Sequence, residues 1–166
     1  MAGRLWIALA SVGLGAALAG CAGNSGSPVP KGFTSAPATT VARPRVPASE
    51  ATFAFEPFIG VPGNTADELS RKIGEKAKLE NLKLVRRVDG EATYRVRGYL
   101  TAAGSENGKT IAYVFDVFSG DQRLYRFNGQ EIADGSRGDP WAGVETESLD
   151  NIAARVVLAL KSWLGQ

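Results

Sequence analysis

The 166-residue chain has no histidine and a single cysteine, Cys21. Without an imidazole no side chain ordinarily exchanges a proton near neutral pH, so Ser-His and Cys-His hydrolytic centres are excluded. Zinc sites draw on Cys or His in almost every known arrangement, and an intramolecular disulfide needs two thiols, so both are excluded too. A basic surplus is also lacking. Of 19 lysines and arginines, Arg4, Lys31, Arg43 and Arg45 precede residue 51, which leaves 15 basic against 16 acidic residues in 51–166. Affinity for nucleic acid comes largely from neutralising phosphates, so nucleic acid is not an expected partner.

What is present begins with an export signal. Arg4 is followed by an apolar run, Leu5 to Leu18, and then by the small residues Ala19 and Gly20. This is the order of a secretory signal peptide over 1–20. The run is too short for a permanent span, which needs roughly 20 apolar residues. Leu18-Ala19-Gly20-Cys21 resembles the lipobox of bacterial lipoproteins, in which the cysteine sulfur receives a diacylglyceryl group before the bond between Gly20 and Cys21 is cut. The thiolate is the soft nucleophile that such S-alkylation needs. The resemblance implies that Cys21 becomes the lipidated first residue of the mature chain and that the chain's first partner is a membrane. Two or three acyl chains make that anchoring effectively permanent, because each buried methylene contributes about 0.8 kcal/mol. Residue 22 is alanine, not the aspartate that often retains such proteins in the inner membrane, so the periplasmic face of the outer membrane is expected.

From 21 to 50 the chain is Ala, Gly, Ser, Thr and Pro with almost no large apolar residue, the composition of a disordered tether. In polyproline form it would reach about 90 Å, and as a random coil about 30 Å. The remaining 51–166 has the length of one domain. Overall 44% of residues are hydrophobic and 22% charged, which is ordinary globular composition.

Within the domain, Phe53, Phe55 and Ile59 alternate as a first strand, interrupted by Pro57 and therefore expected at an edge or a bulge. Thr65-Ala-Asp-Glu68 has the spacing of a capping box, and Ala66, Leu69, Ile73 and Ala77 follow as one helical stripe ending near Asn81. Leu82, Leu84 and Val88 suggest a second strand, closed into a hairpin by Asp89-Gly90. Tyr94, Val96, Gly98 and Leu100 alternate with Arg95, Arg97, Tyr99 and Thr101, which predicts a strand with one wet face. Thr110 to Phe118 is apolar at nearly every position and predicts a central strand covered on much of both faces, with Asp116 the exception. Leu124 to Ile132 predicts a further strand whose Gly129 marks a bulge or a close contact. Leu149, Ile152, Ala153, Val156, Leu160, Trp163 and Leu164 make the apolar face of a last helix. The fold class is α+β: a mostly antiparallel sheet of four to five strands with two helices packed on it.

Three motifs bear on chemistry. Ala103 to Thr110 satisfies a loose phosphate-loop pattern, but Thr110 opens a strand where the mechanism requires a helix, so a nucleotide is not expected. Asp116, Glu131, Asp134 and Asp139 show no spacing that singles out an acid-base pair. Gly135 to Gly143 is an unusual loop: Arg137, Asp139 and Trp141 are residue types favoured at interfaces, although Asp139 could equally cap a turn with Trp141 packed over the core edge. Arg86, Arg87, Arg95 and Arg97 could line a basic stripe, or a solvated face balanced by acidic neighbours.

The stretches Phe53 to Phe58, Ala92 to Leu100 and Val114 to Gly120 resemble envelope lipoprotein domains such as the activators of penicillin-binding proteins and the curli-secretion channel lipoprotein. In outline the pattern is also similar to the amino-terminal domain of the Tol-system propeller protein. The resemblance implies a non-catalytic domain, without cofactor or metal, that binds an envelope protein or a peptidoglycan-associated partner. A carrier of a small ligand or lipid is the alternative and would need an apolar cavity between sheet and helix. An envelope hydrolase ranks third.

Overall fold

A computed structural model of the chain describes residues 41–105, 108–133, 138–142, 144 and 146–165. Its elements are β1 Thr52–Phe55, α1 Gly63–Leu79, β2 Lys83–Leu84, β3 Tyr94–Ser105, β4 Gly108–Ser119, β5 Gln122–Ala133 and α2 Thr146–Leu164. The strands form one sheet in the order β2-β1-β3-β4-β5. β3, β4 and β5 are an antiparallel meander, whereas β1 lies parallel to both β2 and β3. This is a single α+β layer arrangement of two helices and a five-stranded mixed sheet.

The alternation in β3 sets the two faces of the sheet. Tyr94, Val96, Gly98 and Leu100 are buried, and Arg95, Arg97, Tyr99 and Thr101 are exposed. Cross-strand register carries the pattern outward: Val96 faces Val117, Gly98 faces Phe115, and Phe115 in turn faces Phe127. On the inner face a row of rings results, with Phe115 stacked on Phe127 at 5.4 Å and Tyr125 stacked on Trp163 of α2 at 5.7 Å. Two glycines make this row possible. A Cβ on Gly98 would lie 2.7 Å from both Phe58 and Phe115, so its absence lets Phe58 meet Phe115 edge-on at 6.0 Å. A Cβ on Gly129 would overlap the Tyr113 phenol, which is the close contact its place in the strand suggests.

α2 buries Leu149, Ile152, Ala153, Val156, Val157, Leu160 and Trp163. Each large aliphatic side chain so buried contributes about 1.5–3 kcal/mol, so packing, more than intrinsic propensity, holds this helix. α1 buries Leu69, Ile73 and Ala77 in the same core. Between the helices, Lys76 Nζ lies 2.7 Å and Lys72 Nζ 3.4 Å from Asp150, and Lys161 Nζ lies 2.8 Å from Glu80. The second half of α1 meets the first turns of α2, and Glu80 just past the end of α1 meets Lys161 near the end of α2, so the contacts ascend together and the two helices run in the same direction.

Several local expectations are corrected. β1 is not an edge: β2 covers its outer side through Thr52–Lys83 and Phe53–Leu84 pairing, and Pro57 falls beyond the last residue of β1. The capping box does not form, because α1 begins at Gly63 behind Pro62, and Thr65 is already buried inside the helix without a capping hydrogen bond. Asp89, with φ of 62°, does turn the chain, but β2 and β3 are not neighbours and the turn closes a loop in place of a hairpin. β4 is covered on one face only: Ile111, Tyr113, Phe115 and Val117 are buried while Ala112 is exposed and Val114 half-buried. The packed part of the chain also reaches back ahead of residue 51. The Ala42 N–H donates to Leu124 O at 2.8 Å, Trp163 Nε1 donates to Ala42 O at 2.8 Å, and the Arg45 N–H donates to the Tyr94 hydroxyl at 2.7 Å. Ala42 and Val46 pack against the core.

Candidate binding surface

The face of the sheet turned away from the helices is open. In register it carries Arg95 beside Phe118, Arg97 beside Asp116, Tyr99 beside Val114, and Thr101 beside Ala112, and β5 extends the rows with Arg126 opposite Asp116 and Asn128 opposite Val114. Ile59 bridges to Tyr99 from the neighbouring segment, and both side chains are exposed. The surface thus combines aromatic and aliphatic area with guanidinium groups, the residue types that anchor protein interfaces.

Its electrostatic centre is Asp116, only 2% exposed. Arg126 grips both carboxylate oxygens through parallel hydrogen bonds of 2.6 Å, and Arg123 Nε lies 3.6 Å away. The hydrogen bond to Asp116 raises the Arg126 pKa above the ordinary arginine value against the opposing effect of burial. Arg97, the residue opposite Asp116 on β3, stacks its guanidinium 4.4 Å over the Phe118 ring. Arg95 is paired to Glu56 at 2.8 Å. Four arginines therefore share two carboxylates, and the face is basic although residues 51–166 are nearly neutral. Half of the expected stripe belongs to it: Arg95 and Arg97 lie on the face, while exposed Arg86 and Arg87 follow β2 at the far edge of the sheet. Arg123 and Arg126 had no signal in the sequence, since only strand register reveals that they flank Asp116.

The Trp141 loop is held from inside. Asp139 Oδ1 accepts the Trp141 N–H at 2.9 Å, and the Ala142 N–H donates to Asp139 O at 3.0 Å, so Asp139 organises a tight turn around Pro140. Lys109, the lysine of the phosphate-loop pattern, sits in β4, is 2% exposed, and donates to the Asp139 and Ala142 carbonyls. Its ammonium group serves this loop. Trp141 is half-buried and packs against the core. Arg137, and the signal with Gly20 and Cys21, lie outside the described residues. Glu131 is nearly buried on the helix side, where Asn151 and Arg155 of α2 bind it at 2.8 Å each. Among the described residues no group of three or more His, Cys, Asp and Glu side chains could hold a metal ion, and no helix is long and apolar enough to cross a membrane.

No family model matches the chain, and no curated protein matches its sequence. Several solved structures are similar to it. Protein XCC0632 from Xanthomonas campestris, of family DUF330, is 12% identical over 75% of this chain and 91% of that one, with a TM-score of 0.51. The PelC dodecamer from Paraburkholderia phytofirmans is 10% identical over 74% of this chain and 92% of that one, at a TM-score of 0.48. Rare lipoprotein B from Shewanella oneidensis is 15% identical over 67% and 94%, at 0.38. The likeness to the DUF330 protein shows that this chain has the same α+β fold.

Proposed function

We infer that this chain is a lipid-anchored protein of the bacterial cell envelope that performs no chemistry and presents a small binding domain to an envelope partner. The anchor is a diacylglyceryl group on Cys21 with cleavage after Gly20, and the site is the periplasmic face of the outer membrane. The reading of the anchor rests on Leu18-Ala19-Gly20-Cys21 behind a short apolar run. The reading of the domain rests on one observation: the uncovered sheet face on which Arg123 and Arg126 hold Asp116, with Arg97 opposite it and Arg95 paired to Glu56, beside Tyr99, Val114 and Ile59. Such a face suits a partner, protein or peptidoglycan-associated, that bears acidic groups. The Arg137–Asp139–Trp141 loop contributes the exposed part of its indole as a second contact. Tethering holds the domain within a fixed reach of the membrane and raises its effective concentration there, so modest affinity is sufficient.

A photo-crosslinking residue at Thr101, at the centre of the open face, tests this in intact cells. One discrete adduct is expected from Thr101, weakened by Arg97→Glu and absent when the probe replaces exposed Glu75 on α1. Equal capture from both positions contradicts the assignment.

A further inference from the structure

On the other side of the sheet, α1, β1 and β2 enclose a small apolar pocket of about 170 Å³. Its floor is Phe53 and Ile73, both fully buried, and its walls are the half-buried Phe55 and Phe58, set edge-on at 6.3 Å. Leu84 and Val85 form the rim, and Leu84 is open to solvent. The one polar lining group, the Ser70 hydroxyl, donates to Ala66 O at 2.8 Å within its own helix. A polar ligand entering here would lose its hydration and receive little in return. Apolar cavities of about 150 Å³ hold a benzene molecule, so this volume takes roughly six carbons and is well below the roughly 300 Å³ at which pockets accept a whole drug-sized ligand. The occupant is therefore the end of something longer whose remainder stays outside. Val85 on the rim runs directly into the exposed Arg86 and Arg87, in a loop that also carries Asp89 and Glu91; the Arg87 carbonyl accepts from Arg95 Nη1 at 3.4 Å, and Glu56 is paired with that same arginine.

We propose that this pocket binds the terminal six or so carbons of an alkyl chain belonging to an anionic amphiphile, whose charged head lies toward Arg86 and Arg87. The site is separate from the open sheet face and does not depend on the lipid at Cys21. Its chemistry is shared by a free fatty acid and by a chain offered from a bilayer.

Titration of the whole chain with sodium decanoate, followed through the methyl resonances of Ile73, Leu84 and Val85, tests it. Saturable one-to-one shifts at these three residues are expected. Ser70→Leu and Val85→Phe, which each place carbon in the cavity, are expected to weaken decanoate at least tenfold, and Ser70→Leu to raise the melting temperature as the void fills. Arg86→Glu with Arg87→Glu is expected to weaken decanoate several-fold while leaving decanol unchanged. The same shifts with phosphatidylglycerol vesicles assign a bilayer chain, and shifts with decanoate alone assign the free acid. Absence of saturable shifts, or full decanoate affinity in both folded pocket-filling variants, overturns the proposal. Neither outcome alters the assignments of Cys21 or of the sheet face, because Cys21→Ser is expected to leave the titration unchanged.

Discussion

Arg126 and Asp116 face each other across β4 and β5 and are joined by two hydrogen bonds of 2.6 Å, with the carboxylate sunk in the sheet and the guanidinium half in water. Hydrogen bonds to charged groups contribute about 1.5–3 kcal/mol, and truncating one partner leaves the other incompletely paired. Asp116→Ala is therefore expected to lower stability by about 2–3 kcal/mol, and Arg126→Ala by somewhat less, since Arg123 remains near the carboxylate. The double variant should cost clearly less than the two singles together, as residues in one network couple. Urea denaturation of the four proteins measures this, and strict additivity would show that the pair contributes nothing jointly.

The contacts of Ala42, Arg45 and Val46 predict where the folded unit starts. A chain beginning at Ala51 loses the partners of the Tyr94 hydroxyl and of the Trp163 indole N–H. Net hydrogen bonds contribute about 1 kcal/mol each, so it should be about 2–4 kcal/mol less stable than one beginning at Val41. Equal melting temperatures for the two chains would show that residues 41–50 add nothing to the fold.

Gly98 predicts a steric effect at the core. Gly98→Ala puts a methyl 2.7 Å from the Phe58 and Phe115 rings, and overpacking of this kind costs about 1–3 kcal/mol. The side chain able to give way is Phe58, which walls the apolar pocket, so the same variant should shift Phe58 resonances more than those of Phe127 on the far side of Phe115. Unchanged stability with an unmoved Phe58 would contradict the packing described.

These residues also show what a one-dimensional reading reaches. The faces of β3 and α2 are legible because one side of each is buried and the other wet, which writes the period of the element into its residue types. β1 is not legible in the same way. It has four residues, its pattern is buried at both central positions, and nothing local records that a later segment, Lys83–Leu84, pairs outside it in parallel. Thr65 carries the spacing of a cap, yet Pro62 occupies the N-cap position and α1 begins at Gly63, three residues ahead of the start that a cap at Thr65 would give. Asp89-Gly90 has the chemistry of a hairpin turn, but turn chemistry does not specify which strands flank it. The Arg126–Asp116 pair depends on register between β4 and β5, which is decided by the inner face, not by the residues of the pair. The anchoring of residues 42–46 is hard to see in composition, since its hydrogen bonds to Leu124, Tyr94 and Trp163 use backbone groups that every residue has, and only two small or medium side chains, Ala42 and Val46, pack with them.

The contact between the two helices predicts an acid-sensitive step. The Lys76 hydrogen bond, with Lys72 adding to it, holds the Asp150 carboxyl below its ordinary value of 3.8, against the opposing effect of burial. A carboxyl whose pKa is lower folded than unfolded contributes stability that is present above the unfolded value and is lost as pH falls through the folded one. Stability should therefore fall below about pH 4, and Asp150→Asn should flatten that part of the profile. Because the group is partly exposed, its contribution at neutral pH is at most about 1 kcal/mol. Urea midpoints measured between pH 2.5 and 7 for the two proteins check this, and parallel profiles would contradict it.

The claim on which the biological reading depends is that a thiol becomes the attachment point of a membrane anchor. Intact-mass and fragmentation spectrometry of the protein purified from its native membrane tests it most directly. The account predicts a mature chain that starts at Cys21, carries diacylglyceryl on the sulfur, and reverts to an uncleaved, unlipidated form in Cys21→Ser. A native chain with a free sulfhydryl at position 21, or one still beginning at Met1, would contradict it.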